Sequence, residues 1–145
     1  METLRDQLRE RCARIEESYE FMLAYAAQGL RTEPGSGAGS QIRTTLGACD
    51  KALSGLGEIF TKIVRADDLQ PSATYDRFIT LLERDASDAQ ASIQLVLAQP
   101  SISSQMVDNL NASIHLRALL TDLFLIDEIV RPEAASVPSA NAPVE

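Results

Sequence analysis

Few side chains in this 145-residue chain are suited to chemistry: one histidine, two cysteines and 21 acidic residues. A di-iron centre in a helical bundle needs Glu on facing helices together with Glu-x-x-His pairs, because each metal takes carboxylate and imidazole ligands from successive turns. The residue three positions before His115 is Ala112, so this pair is missing. Acidic residues on amphipathic helices usually face water. The sequence therefore predicts no metal site and no cofactor.

His115 has a second candidate role, as a phosphoacceptor. The segment SIHLRALL places Arg117 two residues after the histidine, and this short stretch resembles the dimerisation motif of histidine kinases. It departs from that motif at Leu116, where an acidic residue is expected, and from phosphotransfer domains at Ala118 and Leu119, which replace a Lys-Gly pair. The resemblance implies a four-helix bundle that transfers a phosphoryl group or binds a small ligand through His115. The alternative is a structural histidine.

Cys12 and Cys49 fall on the apolar faces of the first two predicted helices. If these helices run antiparallel about the Gly-rich loop, Cys12 lies level with Ile59 and Cys49 lies level with Met22. The two thiols are then too far apart for a disulfide. We expect two buried free thiols that pack as small hydrophobic side chains.

No motif points to an enzyme. The segment GSGAGS over 35–40 is followed by Gln41 and Ile42 instead of the Lys-Ser/Thr pair of a phosphate-binding loop. The chain has neither a nucleophile elbow nor a cysteine pair at metal-binding spacing. The sequence leaves enzymatic activity undecided and favours a protein without it.

Charge and hydropathy narrow the class of partner. Thirteen basic and 21 acidic side chains give a net charge of −8, which repels nucleic acids and anionic lipid surfaces. The most apolar stretch, 116–130, is too short to span a bilayer and is interrupted by Asp122 and Asp127. The N-terminus is charged from its second residue, unlike a signal peptide. We expect a cytoplasmic protein with neither nucleic acid nor membrane as a partner.

Proline, glycine and serine divide the chain into four predicted helices, because these residues end helices or begin them. The fold class predicted from them is all-α, an antiparallel up-and-down four-helix bundle over residues 1–131. A disordered tail is predicted over 132–145, which is rich in Pro, Ala and Ser. The predicted helices span approximately 3–30, 41–66, 72–98 and 101–130.

Each predicted helix carries an apolar stripe with spacings of three and four, which is the pattern of an amphipathic helix. The most regular stripe belongs to the second helix. Its members are Ile42, Leu46, Cys49, Leu53, Leu56, Phe60 and Ile63. In the fourth helix the stripe includes Ala112, Leu116, Leu119, Leu123, Ile126 and Val130. These stripes predict a single shared core.

The fourth helix also carries more apolar surface than one core can use. Exposed apolar patches of this size usually mark association with another protein. Tyr25 comes from a segment with aromatic residues on more than one face, and Tyr is a favoured interface residue. We therefore predict a non-enzymatic adaptor, regulatory or assembly module that binds another protein or forms a homodimer. The predicted partner-binding residues are Leu120, Phe124, Leu125, Ile129 and Tyr25.

The second helix contains an unusual number of small residues, including Gly47, Gly55 and Gly57. A glycine inside a helix costs about 0.5 to 1 kcal/mol relative to alanine, so a compensating contact is expected. Three explanations stay open: close approach of a neighbouring helix of the same chain, of a partner chain, or of a ligand.

Overall fold

The computed structural model describes residues 2–35 and 40–130. These residues form helices and no strand, which confirms the predicted all-helical class. The predicted tail at 132–145 lies outside the described residues. None of the described helices is long and apolar enough to cross a membrane. The helices are α1 (Leu4–Ala27), α2 (Gln41–Leu53), α3 (Leu56–Ala66), α4 (Ser72–Leu97), α5 (Ser104–Ala112) and α6 (Ile114–Val130).

The first helix begins at a capping box. The Thr3 hydroxyl accepts a hydrogen bond from the Asp6 backbone N–H at 3.0 Å, and the Asp6 carboxylate accepts one from the Thr3 N–H at 3.1 Å. Two N–H groups that have no partner within the helix are thereby satisfied. The helix ends at Ala27, two residues before Gly29 with its left-handed φ of 67°.

The prediction of one continuous helix over 41–66 is wrong at Ser54 and Gly55. Ser54 is extended, and Gly55 has a φ of 79°, in the left-handed region that favours glycine. The chain there ends α2 and begins α3. All seven positions of the predicted stripe are nevertheless buried, so the break preserves the apolar face on both sides.

Side chains from two neighbouring helices satisfy the polar backbone groups at this break. Arg11 of α1 donates through Nη1 to the carbonyl oxygen of Ala52 at 3.2 Å and also to that of Ser54. Gln90 of α4 donates through Nε2 to the carbonyl of Asp50 at 2.9 Å and to the Ser54 hydroxyl at 3.0 Å. Carbonyls freed by the end of α2 therefore keep hydrogen-bond partners.

The predicted fourth helix is also interrupted, at Ser113. This residue is extended, with ψ at 133°, and its hydroxyl accepts a hydrogen bond from the backbone N–H of His115 at 3.1 Å. The break changes which side of the chain faces inward. Ala112, which the stripe predicted to be buried, is exposed, whereas Leu110 and Val107 belong to the core.

The helices share one core. Helix α1 packs against α2, α3 and α5, and α4 packs against α2, α3 and α6. Cys12 and Cys49 are buried and free, as predicted. Burial disfavours the thiolate and raises the pKa of Cys12 to about 12 and that of Cys49 to about 11.

A buried ion pair joins the loop after α1 to the start of α2. The Glu33 side chain is only 5% exposed, and its carboxylate accepts hydrogen bonds from Arg43 Nε and Nη2, both at 2.9 Å. The Ser40 hydroxyl donates to the same carboxylate at 2.5 Å, and the Ile102 backbone N–H donates at 2.7 Å. Arg43 also donates to the carbonyl of Leu97 at 2.8 Å. This cluster, the Glu33 clasp, connects the loop after α1 with the one after α4.

A second set of hydrogen bonds joins the same two loops. The Ser104 hydroxyl donates to the carbonyl of Tyr25 at 2.7 Å and accepts from the Leu30 N–H at 2.8 Å. The Tyr25 hydroxyl donates to the Ile102 carbonyl at 2.6 Å. The end of α1 is therefore fixed to the start of α5.

Replacing Glu33 with alanine is expected to lower the free energy of unfolding by about 3 kcal/mol, because the Arg43 charge would stay partly buried without its partner. Burial alone raises the Glu33 pKa, but the hydrogen bonds from Arg43, Ser40 and Ile102 outweigh it and hold the pKa below its usual value. The contribution of Glu33 is therefore present near neutral pH and lost as pH falls through the folded-state pKa.

Urea denaturation of the Glu33→Ala chain at pH 7 measures this loss. Glu58→Ala is the control, because Glu58 lies 3.9 Å from Lys62 in an exposed pair of the kind that contributes below about 1 kcal/mol. Equal losses in the two variants would contradict a structural role for the Glu33 clasp.

Alanine substitutions at two of the glycines are expected to have opposite effects. A Cβ at Gly57 would lie 2.3 Å from Cγ of Glu83 on α4, whereas a Cβ at Gly47 meets nothing within 4 Å. Gly47→Ala is therefore expected to raise the free energy of unfolding by about 0.5 to 1 kcal/mol. Gly57→Ala forces Glu83 to move and is expected to lower it by up to about 1 kcal/mol. Urea denaturation of both chains tests this; stabilisation by both substitutions would contradict the close approach at Gly57.

Candidate functional site

Three of the predicted partner-binding residues lie on the surface of α6. Phe124 is 57% exposed, Leu125 is 52% exposed and Ile129 is 46% exposed. Leaving half of the area of a large apolar side chain exposed to water is energetically unfavourable. These three therefore form an exposed apolar face on the last helix.

The other two predicted residues are buried. Tyr25 is 3% exposed, and its hydroxyl has a hydrogen-bond partner inside the protein at the Ile102 carbonyl. Leu120 is 7% exposed and lies one turn from Leu116 and from Leu123, both in the core. The prediction placed Leu120 and Tyr25 on a partner-binding surface; in this conformation they instead stabilise the interior.

The apolar face of α6 borders a groove shared with α4. The groove has a volume of about 280 Å³, and we call it the α4–α6 groove. An aromatic cluster forms its inner wall, with the Phe60 ring centroid 6.3 Å from that of Tyr75 and 6.1 Å from that of Phe78. The lining residues are Phe60, Gln70, Pro71, Thr74, Tyr75, Phe78, Leu125 and Ile129. The walls of the groove are thus aromatic and aliphatic.

The sequence prediction missed the contribution of α4 to this surface. Tyr75 and Phe78 are three residues apart, as expected for side chains on the core-facing stripe of a helix, yet both also line the groove. Leu81 is 45% exposed and lies three residues after Phe78, on a neighbouring part of the same helix face. Leu81 lies outside the apolar stripe of α4, and this position was the feature of the sequence that could have indicated its exposure.

The C-terminal end of α6 is fixed by a side chain from α1. Arg5 donates through Nη1 to the Val130 carbonyl at 2.7 Å and pairs through Nη2 with Asp67 at 2.6 Å. A cation at the end of a helix also interacts favourably with the helix dipole. Arg5 therefore holds the turn that carries Ile129 against α3.

A pair of acidic residues spans α4 and α6 beside the exposed apolar face. Asp122 lies three residues before Leu125 and is only 6% exposed, and its Oδ2 atom has no hydrogen-bond partner. Burial, together with the hydrogen bond and the charge of Asp85 on α4, raises the pKa of Asp122 to about 8. At neutral pH Asp122 therefore holds a proton. In the sequence, Asp122 stands out only as an interruption of the apolar stretch 116–130.

His115 is the second residue of α6 and is exposed. Its role as a phosphoacceptor stays a prediction. Among the described residues, no group of three or more His, Cys, Asp or Glu side chains is arranged to hold a metal ion.

Comparisons with protein families, with curated proteins and with solved structures give no match to this chain.

Asp122→Asn is expected to stabilise the protein by about 2 kcal/mol at pH 8, because the amide stays neutral at a buried position where the carboxyl group begins to ionise. Below about pH 4 the Asp122 carboxyl is neutral in the folded and the unfolded chain. As pH rises from about 4 to about 8 the unfolded chain ionises first, so the wild-type protein loses stability over this range.

Denaturation of the Asp122→Asn chain between pH 4 and pH 9 measures this dependence. The stability gain should grow with pH and level off above the folded-state pKa. Asp88→Asn is the control, since Asp88 is an exposed acidic residue of α4. A stability gain for Asp122→Asn that is independent of pH would contradict the raised pKa of Asp122.

Proposed function

We propose that this protein is a non-enzymatic interaction module whose α4–α6 groove and adjoining face of α6 bind an α-helix of a protein partner. The observation that carries the proposal is the pair of half-exposed apolar side chains that line the groove from α6, Leu125 and Ile129. Leu81 of α4, three residues after the lining residue Phe78, is exposed as well. Adaptor, regulatory and assembly proteins all work through surfaces of this kind.

The scaffold that we propose is an up-and-down bundle of four rods, two of them broken. In it α2 and α3 act as one rod and α5 and α6 as another. The packing of α1 and α4 supports this arrangement, because each of them contacts α2, α3 and both parts of the last rod. A bundle of this kind presents a groove between each pair of adjacent helices.

Geometry favours a helix as the occupant. Leu125 and Ile129 are one helical turn apart, as are the apolar anchors of an amphipathic helix that docks in a groove. The aromatic wall formed by Tyr75 and Phe78 supplies a pocket for one such anchor. The net charge of −8 opposes binding of nucleic acid.

A double substitution, Leu125→Ser with Ile129→Ser, tests the proposal. Each side chain is half exposed, so the variant should keep its helix content and lose little stability. Its affinity for a partner should fall about a hundredfold, because two apolar anchors are lost. Leu95→Ser is the control, since Leu95 is exposed near the opposite end of α4.

Two measurements distinguish a second copy of this chain from another protein as the partner. Sedimentation equilibrium of the wild-type and variant chains detects a homodimer, and cross-linking from residue 125 in native lysate with mass spectrometry detects another protein and the segment that touches the groove. Association that survives the double substitution would contradict the proposal. Loss of helix content in the variant would place Leu125 and Ile129 in the core instead.

Phosphoryl transfer or ligand binding through His115 is the second candidate function. It is supported by the exposure of His115 in the first turn of α6, where helix N–H groups favour an anion. Its support is weaker, because Leu116, at the position where the resemblance expects an acidic residue, is buried in the core.

A further inference from the structure

Gly47 has no packing explanation inside the protein. Gly57 allows α4 to approach, and Gly55 supplies a left-handed turn, but a Cβ at Gly47 would meet nothing within 4 Å. Gly47 also lies in the interior of α2, where glycine is unfavourable. Close approach of a neighbouring helix of the same chain, one of the three explanations for the small residues of the second predicted helix, therefore does not account for Gly47.

The space beside Gly47 belongs to a surface pocket between α1 and α2. The pocket has a volume of about 500 Å³, and we call it the α1–α2 pocket. Small residues, Gly47, Ala48 and Ala52, contribute its α2 side together with Lys51. Helix α1 contributes Arg11 and Arg14. The small residues keep the space between the long basic side chains open.

The charge of the α1–α2 pocket is opposite to that of the whole protein. Three of its six lining residues are basic and none is acidic, although the chain carries a net charge of −8. Arg14 lies 3.5 Å from Glu10 in an exposed pair, an interaction that is weak in water. Its guanidinium can therefore turn toward a stronger anion.

Arg11 is already held in place without a ligand. Its Nη1 atom donates to the carbonyls of Ala52 and Ser54 at the break between α2 and α3. These bonds leave the Nε and Nη2 donors of the guanidinium for another acceptor. A fixed side chain loses less conformational entropy when a ligand binds, which raises affinity.

We propose that the α1–α2 pocket binds a small soluble molecule through a phosphate group, with Arg11, Arg14 and Lys51 as the ligands of the phosphate oxygens. Guanidinium groups match the spacing of phosphate oxygens and bind them with two parallel hydrogen bonds. Three positive charges suit a phosphate dianion better than a single carboxylate. The negative charge of the whole protein opposes approach to an anionic lipid surface, so the molecule that we propose is soluble.

Titration of the full chain with inorganic pyrophosphate tests this site. Two-dimensional ¹H–¹⁵N NMR should show saturable shifts centred on the amides of Gly47, Ala48 and Lys51. Lys51→Ala should weaken binding about tenfold, as expected for loss of one charge-assisted hydrogen bond. Lys62→Ala is the matched control, because Lys62 is the other lysine of the chain and lies on α3 near Glu58; its affinity should stay within about twofold of wild type.

Two substitutions at Gly47 test whether binding requires the open space of the pocket as well as its positive charge. Gly47→Leu puts a side chain into the open space and should abolish binding, while circular dichroism shows that the helices are retained. Gly47→Ala adds one methyl group and should bind pyrophosphate at least as well as Lys51→Ala. The proposal is overturned if the pocket amides do not shift at about 10 mM pyrophosphate. It is overturned equally if Lys62→Ala weakens binding as much as Lys51→Ala, if Gly47→Leu binds like wild type, or if citrate binds as tightly as pyrophosphate.

Discussion

The arrangement of the helices depends on one end of the molecule, and the buried carboxylate of Glu33 holds the loops at that end together. It accepts hydrogen bonds from Arg43 at the start of α2, from the Ser40 hydroxyl and from the Ile102 backbone just before α5. A buried carboxylate is stable only when it is paired and hydrogen-bonded. Glu33 therefore sets the relative position of two loops that are distant in sequence.

The apolar stripes predicted the all-helical class and most of the buried helix faces, because burial of one helix face is a property of residue spacing. The stripe from Ile42 to Ile63 is buried throughout. The breaks could not be predicted in the same way. Glycine adopts the left-handed conformation of Gly55 at little energetic cost, and the side chains that contact the break lie elsewhere in the sequence. Arg11 and Gln90 supply the hydrogen bonds that make the break acceptable, and spacing within α2 contains no information about either side chain.

Residue spacing also predicted part of the exposed surface of α6. Phe124, Leu125 and Ile129 fall outside the narrow stripe of the helix and are exposed, whereas Leu120 completes the buried side. Tyr25 could not be placed from the sequence, because its burial depends on a hydrogen bond to the Ile102 carbonyl, 77 residues away. The raised pKa of Asp122 likewise depends on Asp85 of another helix, and no local pattern identifies such a pair.

The two proposed binding surfaces use different helix pairs, α4 with α6 and α1 with α2. They are nevertheless connected through the break between α2 and α3. Ser54 accepts a hydrogen bond from Arg11 at its carbonyl and one from Gln90 of α4 at its hydroxyl. A phosphate that drew Nη1 of Arg11 away would leave the Ala52 and Ser54 carbonyls without this donor, which is unfavourable. A ligand that leaves the break intact must therefore bind the other side of the guanidinium, through Nε and Nη2.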